Sequence, residues 1–394
     1  MKLFQKLLLA PAAIGLLAPI AATANESNYR DVTNYSQDQV DVSLDTFKPL
    51  SSKNPLLAGG EGATQSSTSS DFDVDTFSST TTASFTSNFA VGTQEGVTGS
   101  EELGMNFDWE IALNSSFTGN DSLDVVLNSG ISNLYTELDM THSKSGSSGA
   151  RLLLDSISYT TTLGERATAF VAFGDGVAGS SLYNTACVYG AQADTFSDCG
   201  VSAANVDEGL GTAAGFSFDF GNGITTALAV ESQGRTNGLL NKESRDAIGA
   251  QVAYTGDNYG VSLSWANIDN ASNAGNTQSV GVNGYYSPEL PSFPSISGGI
   301  ETNHDDTISG TTADQTGHYF VGIQWDEVGN GTLGAAFGSK TPYQEDADAL
   351  NMYEVYYSYN YADGITMTPL LYSKDGGAGN NDETGMVLKA TFSF

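Results

Sequence analysis

Residues 101–118 alternate between apolar and polar side chains. Leu103, Met105, Phe107, Trp109, Ile111, Leu113 and Phe117 share one face of an extended chain. Asn106, Asp108, Glu110, Asn114 and Ser116 share the other. A period of two specifies a strand, since successive side chains point to opposite faces. The run is also longer than the five or six residues typical of soluble strands. A strand between hydrocarbon and a wet interior carries this pattern; so does a half-buried strand of a soluble sandwich. Residues 385–394 repeat it, with Met386, Leu388, Ala390, Phe392 and Phe394 opposite Val387, Lys389, Thr391 and Ser393.

The pattern recurs along the chain. Strands are expected over about 79–91, 101–118 and from Leu123. Pairs follow at 151–162 and 166–174, 212–220 and 224–231, and 247–255 and 258–266. Further pairs lie at 277–287 and 294–301, 318–326 and 331–338, and 352–361 and 364–373, and 385–394 closes the series. Tight-turn sequences join members of the pairs, such as Gly119-Asn120-Asp121, Gly221-Asn222-Gly223 and Val328-Gly329-Asn330. Longer polar connections separate the pairs. The expected fold is all-β: a sixteen-stranded antiparallel transmembrane β-barrel over 79–394. Its short turns lie at the periplasmic end and its long loops outside. Ten residues at ~3.3 Å rise and ~45° tilt cover about 23 Å, close to the apolar band of such barrels. Trp109, Tyr254, Tyr259, Trp265, Tyr286, Trp325, Tyr353 and Tyr361 are read as interfacial girdles near strand ends.

The first residues agree with this destination. Lys2 and Lys6 flank a charged start, an apolar run covers 7–20, and Ala22-Thr23-Ala24 forms a cleavage site. Residues 1–24 therefore read as a secretory signal peptide, cleaved near Ala24. Residues 25–78 read as a polar periplasmic segment. No later stretch approaches the roughly 18 apolar residues of a membrane helix. An exported chain without such helices spans a membrane only as a closed barrel. The formal charge of −32 excludes nucleic acid as a partner and favours cations near the surface or lumen.

A sixteen-stranded barrel is too wide to be filled by its own side chains. The connection at about 175–211 is the longest and is expected to fold inward and narrow the lumen. It holds both cysteines, Cys187 and Cys199, read as a disulfide in an oxidising compartment. Asp175, Asp194, Asp198, Asp207 and Glu208 would place carboxylates beside the passage. Asp108, Glu110, Asp124, Asp219, Glu354 and Lys389 fall on lumen-facing parity. Arg151 and Arg166 are the arginines that could oppose those acids.

No sequence feature points to catalysis or a cofactor. A G-x-G-x-x-G match at 174–179 has no helical pattern after it, so a nucleotide site is rejected. His142, His304 and His318 sit in no ligand or triad spacing. The acidic stretches 71–75 and 345–348 lack the spacing of a calcium loop and read as solvated.

Several stretches resemble cyanobacterial outer-membrane porins of the carbohydrate-selective and iron-uptake class, nearest the marine picocyanobacterial members. They are residues 56–62 (LLAGGEG), 80–85 (TTTASF), 116–123 (SFTGNDSL), Asn283-Gly284-Tyr285-Tyr286 and Gln324-Trp325. The resemblance implies a trimeric outer-membrane channel for small solutes and inorganic ions, sugars or iron among them. It also implies an inserted loop after the fifth strand. Members commonly carry a wall-gripping N-terminal domain, for which residues 25–70 are too short. The competing expectation is an acidic secreted structural or adhesive β-rich protein. A secreted carbohydrate-active sandwich is a third.

Overall fold

A computed structural model describes residues 81–96, 103–131, 138, 151–174, 177–234, 239–241, 243–270, 275–290, 293–306, 315–339, 343–344, 349–377 and 381–394. The expected leader (1–24) and polar segment (25–78) lie outside the described residues. So do Asp175, His142 and the stretches 71–75 and 345–348.

The strands are β1 (Thr81–Glu95), β2 (Gly104–Ser115), β3 (Asp121–Ile131), β4 (Leu153–Leu163), β5 (Ala167–Gly174) and β6 (Thr212–Gly221). They continue with β7 (Ile224–Ser232), β8 (Asp246–Thr255), β9 (Tyr259–Asp269), β10 (Asn276–Tyr286), β11 (Ser295–Asp305) and β12 (Gln315–Val328). The last are β13 (Gly331–Ser339), β14 (Tyr343–Gln344), β15 (Asn351–Ala362), β16 (Ile365–Lys374) and β17 (Glu383–Ser393). Every strand except β14 pairs antiparallel with its wall neighbours, and β13 pairs directly with β15. The two-residue β14 adds a short ladder to β12 beyond the end of β13. β1 closes against β17, from Thr86↔Ser393 to Glu95↔Thr384. The wall is thus a closed sixteen-stranded antiparallel barrel. Closure leaves no unpaired edge, which a hydrocarbon surrounding requires.

Local chemistry explains the turns. Asn222-Gly223 joins β6 to β7 with φ of 56° and 81°, the left-handed pair that a two-residue hairpin turn needs. Between β2 and β3 the Asp121 carboxylate accepts the backbone N–H groups of Phe117 and Thr118 at 3.0 and 2.8 Å. It also accepts the hydroxyls of Ser116 (2.9 Å) and Tyr159 (2.9 Å). One side chain thereby satisfies the turn's donors and ties it to β4. Tyr254, Tyr259, Tyr286, Tyr353 and Tyr361 sit near strand ends. Trp109 and Trp265 instead lie well inside β2 and β9, where they face outward within the apolar band.

Candidate functional site

The barrel is inverted relative to a soluble protein. On β7 to β9 the outward positions Leu228, Ile248, Val252, Val261 and Leu263 are exposed, Leu228 by 60%. The inward positions Glu231, Gln251, Ser262 and Ser264 are buried, Ser264 completely. Exposed apolar side chains alternate one by one with buried ones that are polar or small. The outward set suits hydrocarbon; the inward set is covered from within the barrel.

The cover is the 177–210 segment between β5 and β6. Its outgoing leg crosses the inner wall strand by strand. Gly179 N–H donates to Glu231 (2.6 Å), Asn184 N–H to Gln251 (2.6 Å) and Ala186 N–H to Ser262 (3.1 Å). Val188 N–H donates to Ser297 (3.0 Å) and Gly190 N–H to Gln324 (2.8 Å). At the far end the Gln192 and Ala193 N–H groups reach Glu354, at 3.2 and 2.5 Å. On the return leg Ala204 N–H donates to Glu301 (2.8 Å), and Leu210 N–H comes back to Glu231 (3.2 Å). Every one of these acceptors is on lumen parity. The Cys187–Cys199 disulfide, Cα–Cα 6.1 Å, ties the two legs together.

Apolar contacts complete the seat. Tyr189 and Phe196 flank the inward Phe320 at centroid distances of 5.4 and 5.3 Å, a spacing that favours tilted ring pairs. Val206 packs with the inward Ala229, Ala247 and Ala266. Glycines make room for the close backbone approach. A Cβ at Gly299 would lie 2.1 Å from the Cys199 carbonyl oxygen, and one at Gly338 would lie 2.9 Å from the Phe196 ring. One residue of a second connection also meets the segment. Leu138, between β3 and β4, is buried and forms an isolated antiparallel bridge with Ala193.

The sequence-derived residues fall into separate places. Glu110 and Asp124 remain partly exposed on the inner faces of β2 and β3, Glu110 between Thr86 and Asn128 and Asp124 opposite Ser158 of β4. Asp124 accepts Ser122 and Asn114, both at 2.6 Å. Asp108 is buried and accepts Asn88 at 2.8 Å. Asp219 is exposed at the short-turn end, taking the Gly221 N–H at 2.7 Å. Lys389 lies on the inner face of β17, within electrostatic reach of Glu354. Glu354 itself faces inward but is sealed under the segment. Arg166 is exposed at the short-turn rim and donates to Phe220 O at 3.2 Å, and Arg151 is exposed just before β4.

Within the segment Asp194 is exposed, whereas Asp198, Asp207 and Glu208 are half-buried. Glu208 pairs with Arg245. Burial pushes the Glu208 carboxyl above its ordinary range, and the Arg245 guanidinium opposes that shift. Burial likewise pushes Asp198 up, against hydrogen bonds from Asp207 and Asn205. Among the described residues no group of three or more His, Cys, Asp or Glu side chains is placed to hold a metal. Glu231, Glu301 and Leu138 did not emerge from the sequence. The one available signal was a glutamate on lumen parity flanked at two-residue steps by small residues, as at Ala227-x-Ala229-x-Glu231 and Ser297-x-Gly299-x-Glu301.

No protein-family profile matches the chain, and no curated protein matches it. Solved structures do. An anion-selective porin from Comamonas acidovorans is 14% identical, with a TM-score of 0.56 over 80% of this chain and 99% of that one. OprB of Pseudomonas putida is 11% identical, with a TM-score of 0.55 over 80% and 94%. A substituted form of the Rh. blastica porin is 14% identical, with a TM-score of 0.51 over 80% and 100%. The shared element is the barrel fold: this chain has the architecture of bacterial outer-membrane porins.

Proposed function

We propose that the protein is an outer-membrane porin, a passive diffusion channel for small hydrophilic solutes and inorganic ions. In this reading the chain is exported, loses its leader near Ala24, and inserts in the outer membrane as a homotrimer in contact with lipid. The observation that carries it is the pairing of a closed porin-type barrel with a segment bonded to lumen-facing side chains. Such a segment narrows an otherwise wide pore. Carboxylates on the uncovered wall, Glu110 and Asp124, support a preference for cations, since acidic rings raise local cation concentration. Sugars and iron enter as cargo only through the sequence resemblance. A barrel with a banded apolar exterior does not favour the soluble adhesive alternative.

The test is conductance of the purified protein in a planar bilayer, native and with 180–206 shortened, using a series of salts and sugars. Discrete channels, a cation-directed reversal potential at low salt, and larger conductance after shortening are expected. Absence of conductance overturns the porin reading. Unchanged conductance and sugar cut-off after shortening would remove the segment from the constriction.

A further inference from the structure

Three glutamates share one arrangement. Glu231 of β7, Glu301 of β11 and Glu354 of β15 point into the barrel and are 0%, 1% and 1% exposed. Each carboxylate accepts from the main chain of the inserted segment. Glu231 takes the N–H groups of Gly179 (2.6 Å), Glu208 (3.2 Å) and Leu210 (3.2 Å). Glu301 takes Ala204 N–H (2.8 Å) and the Asn303 amide (3.1 Å). Glu354 takes Gln192 and Ala193 N–H and the Tyr189 hydroxyl (2.7 Å).

Their places along the segment are as telling as their partners. Glu231 binds both its beginning and its end, so one carboxylate closes the whole loop at its base. Glu354 holds the far tip and Glu301 the return leg. The anchored wall from β7 to β15 is half of the barrel strands. An ionised carboxylate is purely an acceptor with about four lone-pair positions, and its bonds from N–H groups are stronger than neutral ones. Backbone donors are also indifferent to side-chain identity, so this seat holds whatever residues the segment presents to a solute.

We infer that Glu231, Glu301 and Glu354 are positioning residues that fix how far the segment stands from the wall, and thereby set the cross-section of the passage. None of them lines the passage. The inference rests on the proposed porin reading, and the experiment separates the two.

Glutamine is nearly isosteric with glutamate but turns one acceptor into an N–H₂ donor, facing the segment's own N–H groups. Single variants Glu231→Gln, Glu301→Gln and Glu354→Gln, the triple variant and the 180–206 shortened variant are compared in bilayers. Each is first checked for heat-modifiable mobility as evidence of a closed barrel, and the singles serve if the triple does not insert. Channels of the Gln variants should show greater open-channel noise and a sugar cut-off shifted toward that of the shortened variant. Glu231→Gln and Glu354→Gln should exceed Glu301→Gln, which loses fewer main-chain donors. A shifted reversal potential with unchanged noise and cut-off would make these residues wall charges and overturn the inference. So would Gln variants indistinguishable from native while shortening enlarges the pore. If shortening itself changes nothing, the constriction reading fails instead.

Discussion

Two stretches of the same wall illustrate what the lumen asks of a strand. From β7 to β11 the inward positions are mostly small: Ala227, Ala229, Ala247, Gly249, Ala253, Gly260, Ser262, Ser264, Ala266, Ser279, Gly281, Ser297 and Gly299. From β2 to β4 they are more mixed: Glu110, Asn114, Asp124, Val126, Thr160 and Thr162 stand among the small Ala112, Ser122, Ser156 and Ser158. The outward faces of both stretches remain mainly apolar. The difference is the company each inner face keeps. The first wall receives the segment's backbone at close range and must leave it space; on the second, Glu110, Asp124, Ser158 and Thr160 remain partly exposed among the described residues, whereas Asp108 and Asn128 are buried. Small residues on the inner parity are thus more frequent where the inserted segment lies. Charge on that parity records two opposite things, an anchor where it is covered and a wall charge where it is not.

The sharpest way to break this contrast is to remove packing from the covered side. Phe196 is buried against Phe320, so Phe196→Ala should weaken the segment's seat by about 3–5 kcal/mol. Ser158→Ala on the uncovered wall should stay within about 0.5 kcal/mol. Hydrogen exchange of amides in 177–210 is the measurement. Equal protection in the two variants would mean that the apolar contacts do not hold the segment.

Adding atoms is the complementary test, and its expected effect is smaller. Gly299→Ala drives a methyl onto the Cys199 carbonyl, and overpacking of this kind costs about 1–3 kcal/mol. The substitution should displace the segment and raise channel noise. Gly284→Ala places its methyl outward, 3.4 Å from the nearest atom, and should leave conductance as it is. Identical recordings from both variants would dissolve the idea that inner glycines mark the segment's track.

Much of the fold was legible because its signal is local. Alternation names the strands, turn chemistry separates them, and parity assigns faces, as β2 and β17 show. The covering of one wall is not local. Glu354 and Glu110 have the same parity and the same side chain. Only the path of a segment more than 140 residues away distinguishes them. Glu231 and Glu301 were missed for that reason, and Leu138 because nothing in its neighbourhood announces a bridge to Ala193. Trp109 and Trp265 were expected near strand ends because tryptophan favours interfaces. Both rings sit instead within an outward apolar row, where area burial in lipid is sufficient reason.

On the uncovered wall the expected change is in selectivity rather than stability. Glu110→Lys should shift the reversal potential toward anions at low salt. The shift should shrink at 1 M, where the Debye length is about 3 Å. Heat-modifiable mobility of the same variant checks that its barrel still closes. A reversal potential that ignores Glu110→Lys would move the selectivity-setting groups off the β2–β4 wall.

The smallest expected effect is a pH dependence confined to the covered side. Asp198 faces Asp207, Asn205 and Glu301; Glu208 faces Arg245 and Asp207. Burial raises both carboxyls above the ordinary carboxylate range of about 4. A carboxyl with a raised pKa in the seated state keeps its proton to higher pH there than when the segment is free. The seated state therefore binds more protons through that window, and its stability falls as pH rises. Amides of 177–210 should lose protection as pH increases from about 4 toward neutrality, after correction for intrinsic exchange. Amides of β2 to β4 should not. Asp198→Asn removes one titrating group and should flatten the slope in part, leaving the contribution of Glu208, which Arg245 opposes. Protection that rises with pH, or a slope shared by both walls, would place the titration elsewhere than at these two half-buried carboxyls.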